Sequence, residues 1–137
     1  MTEGTTQASK EASLRELMEP VAARWNMLTP LMLQMGIIEE LLDRTLVLAE
    51  KDPGGSSLVV RITNQGMAIE DGDDPAAHGR LATTAAQWRK ILSGQKTYAT
   101  IFRFELEPER DPVPLHQMAL VERFATVVQA LVLLPLG

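Results

Sequence analysis

The stretch GRLATTAAQWRKILSG, residues 79–94, together with FRFELE at residues 102–107, decides the fold of this chain. Gly79–Thr83 is a short run of strand length. Thr84 stands three residues before Gln87, the spacing of a capping box in which side chains satisfy the first free amides of a helix. The helix so opened places Trp88, Ile91 and Leu92 on one side and stops at Ser93-Gly94. Lys96 to Ile101 reads as one more helical turn. Phe102, Phe104 and Leu106 then alternate with Arg103, Glu105 and Glu107, which predicts a half-buried strand. Strand, capped helix and strand in succession imply an α+β fold.

Upstream, two strands are predicted at Thr45–Glu50 and Leu58–Thr63, joined as a hairpin by the turn-rich KDPGGSS of residues 51–57. Asn64-Gln65-Gly66 turns the chain into a third strand, Met67–Glu70, and Asp71 to Pro75 forms the next loop. Toward the N-terminus, Ser13 and Glu16 make another capping box. Leu14, Leu17, Met18, Val21, Trp25 and Leu28 follow at helical spacing. Pro20 either kinks this helix or marks its first turn, and Thr29-Pro30 reads as the start of a second helix reaching Leu42. Downstream, Pro108 to Pro114 is a stiff charged linker into a long apolar helix, Leu115 to Leu134. Residues 1–12, rich in Thr, Gly, Gln and Ser, are expected to be a disordered tail, and residues 13–137 a single domain.

Composition removes several functions. The net charge of −5, with scattered basic residues, gives no footprint for nucleic acid. With no cysteine there is no disulfide, thiolate nucleophile or Cys-based metal site. The polar N-terminus lacks the apolar run of a signal peptide, and no segment is long enough for an integral membrane span, so a cytoplasmic location is expected. His78 and His116 each lack a partner at metal-ligand spacing and read as solvated residues. The loop Asp71-Gly72-Asp73-Asp74 lacks the closing glutamate of a calcium loop and reads as a turn. Gly54-Gly55 precedes neither a helix nor a phosphate-binding lysine, and no nucleophile elbow occurs. No cofactor is implied, and a binding role is favoured over an enzymatic one. What the chain has in excess is apolar helix surface, at Met27 to Leu42 and Val121 to Leu136. A thick core, a homodimer interface or a cavity for an apolar ligand would each absorb it.

From about Thr45 to Leu131 the chain resembles the sterol carrier protein 2 (SCP2) family of lipid-carrier domains. The resemblance rests on LVVRIT at 58–63, MAIEDG at 67–72, GRLATT at 79–84, QWRKILSG at 87–94, Ala99, and FRFELE at 102–107. It departs in the short connection Gln95 to Tyr98, the missing glycine before the last strand, and the Pro108 to Pro114 loop. The resemblance implies an SCP2-like α+β fold, a five-stranded and mainly antiparallel sheet covered by helices, with an apolar tunnel between them. Carried over by position, the cavity lining would be Trp88, Leu92, Phe102, Phe104, Leu106, Met118, Val121, Phe124, Val128 and Leu131. The ligand implied is a hydrophobic small molecule: fatty acyl, isoprenoid or sterol-like. Two rivals stand beside a non-catalytic carrier. One is a homodimeric or partner-binding module without an open tunnel. The other is a small accessory enzyme acting on a hydrophobic metabolite, with a polar pair that includes His116 or Tyr98.

Overall fold

The computed structural model describes residues 12–94 and 114–134. Among these, the chain runs α1 (Leu14–Gln34), a 3-10 turn (Glu39–Leu41), β1 (Arg44–Glu50), β2 (Ser57–Thr63), β3 (Gly66–Asp71), β4 (Gly79–Thr83), α2 (Ala85–Leu92) and α3 (Leu115–Leu133). Four of the five predicted strands and the α2 and α3 helices stand where turn chemistry and periodicity put them. The predicted strand Phe102–Glu107 and the helical turn before it lie outside the described residues.

α1 corrects the expectation of two helices. It is one element through both Pro20 and Pro30. An interior proline removes a backbone bond and costs about 3 kcal/mol. Burial outweighs this, because Leu14, Met18, Val21, Trp25 and Met32 all leave water, each worth roughly 1.5–3 kcal/mol. Thr29 starts nothing; its hydroxyl donates back to the Trp25 carbonyl at 2.7 Å. The helix also ends earlier than expected. Gly36 adopts φ +70°, its N–H meets the Leu33 carbonyl, and the Ile37 N–H meets Met32. This Schellman closure needs a left-handed residue, which glycine supplies without strain.

The described sheet has order β3-β2-β1-β4. β1/β2 and β2/β3 are antiparallel, but β1/β4 is parallel, so the sheet is mixed. A parallel neighbour requires a crossover, here made by residues 72–78. Asp73 pairs with Arg80 on β4, and Asp74 lies 3.5 Å from Arg61 on β2. The acidic loop thus bridges over β1, its carboxylates engaged by arginines, and Val47 and Val59 are buried on that side.

The three helices cover the other face. Leu46, Leu48, Leu58, Val60, Ile62 and Leu81 form its buried floor, in register across β1, β2 and β4. α1 lies over β2 and β3, α3 over β4, and Trp25 meets Phe124 where α1 and α3 touch, ring centres 6.2 Å apart. Arg24 fastens the far end by donating to the Leu131 and Val132 carbonyls at 2.8 and 3.3 Å. These groups would otherwise lack donors at the helix end.

At the β3 edge, Asn26 of α1 accepts from the Met67 N–H at 2.6 Å and donates to its carbonyl at 3.2 Å. Gly66 permits the approach, since a Cβ there would stand 2.1 Å from Asn26 Oδ1, and its φ is +137°.

Candidate functional site

Two regions beside α3 could hold a ligand. The first is the apolar seam where β1 and β4 face α2 and α3. Trp88 fixes α2 here, its indole N–H donating to the Ala49 carbonyl at 2.8 Å. Trp88, Leu92, Phe124 and Val128, all expected as cavity lining, do share one space, with Met18, Leu48, Leu81, Ile91 and Ala125. Val121 and Leu131 are buried in the same core, and Met118 packs at its margin. Phe102, Phe104 and Leu106 lie outside the described residues. Only apolar side chains line this space, and its volume is about 10 Å³, no more than one water requires. Trp25 is fully buried in the same core, and its indole N–H has no acceptor among the described residues.

The second region is a half-open pocket of about 500 Å³ beside the first turns of α3. Glu40 of the 3-10 turn, Arg44 at the head of β1 and His78 before β4 form one side. His116, Ala119, Leu120 and Arg123 of α3 form the other, spaced so as to share one helix face. Gly79 sets the distance between the sides. A Cβ there would lie 3.3 Å from Val121 and 3.4 Å from Leu120, so its absence lets α3 settle onto β4.

His78 is held on both sides by Thr45. Its N–H donates to the Thr45 carbonyl at 2.8 Å, and its Nδ1 accepts the Thr45 N–H at 3.0 Å. A ring nitrogen that accepts a backbone N–H carries no proton, so the neutral ring bears its hydrogen on Nε2. Arg123 approaches Glu40 at 3.6 Å. Read singly, the histidines gave no sign of meeting, and the structure brings both onto one pocket. No local motif marks this pairing, because the crossover loop and α3 bring the two residues together only in the folded chain. Tyr98, the other polar candidate, lies outside the described residues.

No helix among the described residues is long and apolar enough to cross a membrane. No protein-family model and no curated protein matches the sequence. Solved structures do match. A UbiJ-SCP2 ubiquinone synthesis protein is 15% identical at TM-score 0.56, the match covering 84% of this chain and 90% of that one. Palmitated SCP2L2 of Aedes aegypti is 12% identical at TM-score 0.57, covering 80% and 92%. Apo sterol carrier protein 2 of Yarrowia lipolytica is 14% identical at TM-score 0.55, covering 82% and 88%. With helices on one face of a mixed sheet, and with likeness to these structures over most of its length, this chain has the SCP2-like fold.

Proposed function

We propose that the domain binds or transfers a hydrophobic small molecule, without catalysis, in the seam between the sheet and helices α2 and α3. The observation that carries this reading is the wholly apolar space among Met18, Leu48, Leu81, Trp88, Ile91, Leu92, Phe124, Ala125 and Val128. It lies in the core of a fold whose solved members include a palmitated protein. The proposed lining is the set implied by the resemblance: Trp88, Leu92, Phe102, Phe104, Leu106, Met118, Val121, Phe124, Val128 and Leu131. At about 10 Å³ the seam is shut, so a ligand enters by displacing side chains and parting α3 from its neighbours. The driving force is apolar area removed from water, roughly 25 cal/mol per Å². Specificity is then loose, set by length and volume. The test is native mass spectrometry and solvent extraction of the purified protein, with titration of a fluorescent fatty acid. Co-purified lipid or saturable uptake is expected. A lipid-free protein that takes up no probe sinks the reading.

One observation favours a second reading, a homodimer. Met27, Leu31 and Met35 recur every fourth residue along α1 and are 59%, 51% and 63% exposed. Light scattering at micromolar concentration decides it: a strict monomer rules the dimer out.

A further inference from the structure

We propose that the pocket between β1 and α3 is a second site, which takes the oxyanion head of a small amphiphile. It goes beyond the seam reading and does not depend on it.

Charge is the first argument. The chain carries net −5, yet this concavity gathers two arginines and two histidines against one carboxylate. Glu40 engages Arg123 at 3.6 Å. Arg44 has no ion pair among the described residues. A guanidinium never loses its proton in a protein, so even with both imidazoles neutral the pocket holds a net positive charge.

Donor geometry is the second. The Thr45 N–H donated to Nδ1 orients the His78 ring, the His78 backbone N–H holds the same residue's carbonyl, and Nε2–H is left as the ring's donor edge. A planar guanidinium offers paired N–H donors that match a carboxylate or phosphate. The pocket therefore offers several donors and one acceptor carboxylate, Glu40, already facing Arg123. Such a set suits an oxyanion and rejects a cation.

Size and wall are the third. About 500 Å³ lies in the range of small-molecule sites. Leu120 and Ala119 give the pocket an apolar wall from α3, against which a short chain attached to the head can lie. Carboxylate and phosphate heads share this chemistry, and the test separates them.

The full chain is titrated with octanoate, octyl phosphate, inorganic phosphate and octanol. Calorimetry gives affinities, and the imidazole proton resonances report on His78 and His116. One of the two octyl anions is expected to bind and shift both resonances, with octanol at least about tenfold weaker. Preference for octanoate or for octyl phosphate supports the proposal either way and names the head. Arg44→Gln with Arg123→Gln should weaken binding about tenfold or more, and Glu40→Gln should tighten it severalfold. A merely structural role would not produce these opposite signs. All three positions are exposed, so the variants are expected to fold, and circular dichroism checks this. Octanol binding as well as the anions overturns the oxyanion assignment. Inorganic phosphate matching octyl phosphate overturns the amphiphile. Unchanged affinity in the double arginine variant overturns the site. Uptake of a neutral apolar probe is measured on the same variants. Its persistence in the double arginine variant separates failure of this pocket from failure of the seam.

Discussion

The two spaces beside α3 differ in volume about fiftyfold, near 10 Å³ in the apolar seam and near 500 Å³ in the charged pocket. They share the helix and, through Gly79, the strand on which it rests. Apolar walls gain by closing, since each contact removes area from water and adds dispersion. Charged walls lose by closing, since a guanidinium or imidazole without water or a partner is costly to bury. The same helix thus seals one side and props open the other. A ligand in the proposed seam would have to break it open, whereas the pocket is already an open space.

The largest effect should come from breaking the seam. Phe124→Ala removes a ring that packs against Trp25 and lines the apolar space. Urea unfolding should show a loss of about 3–5 kcal/mol. A loss below about 2 kcal/mol would mean that the seam is not close-packed, and the contrast with the pocket would dissolve. Gly79→Ala should act on both regions together. Its new methyl meets Val121 on the core side and Leu120 on the pocket side, lifting α3 from β4. A cost of about 1–3 kcal/mol is expected, with altered probe uptake and anion affinity in one variant. Change in only one of these would separate what the geometry couples.

The pocket's own side chains should matter little to stability. Arg44→Gln with Arg123→Gln should leave the urea midpoint within about 0.5 kcal/mol of the parent, as for exposed residues in general. A larger loss would show that these charges hold the fold together. The smallest effect lies across the sheet. The Arg80 guanidinium and then the Asp74 N–H hold the Asp73 carboxyl below its ordinary range. Its contribution is present above the unfolded carboxyl's range and fades as pH falls through the lowered folded value. Asp73→Asn should slightly lower stability at neutral pH, leave it unchanged in acid where the carboxyl is already protonated, and so flatten the acid limb. A steep change would mean that the crossover loop, and not the core, limits acid stability.

How far the sequence could be read follows the range of each interaction. Ser13 with Glu16, Thr84, and the turns around Pro53 and Asn64 act within a few residues, so their helices and strands stand at the expected places. The run Met27 to Leu42 misled because Pro30 after Thr29 is a strong local start signal. Trp25 and Met32, packed against elements far along the chain, override it. The parallel pairing of β1 with β4 depends on the crossover at 72–78, and no residue within either strand announces it. Helical period put Trp88, Leu92, Phe124 and Val128 on apolar faces, and their place as cavity lining came from the family resemblance. The meeting of His78 with His116 was not legible, because it exists only once α3 rests on Gly79.

Asn26 has one more consequence. A side-chain amide presents one donor and one acceptor at the spacing of a peptide group, so at Met67 it stands in for a residue of a neighbouring strand. A foreign chain trying to add to the sheet on that side finds this register filled and a helix in its path. The molecule thereby guards one border of its sheet against templating its own aggregation, with a single polar residue from the helix that lies over that edge.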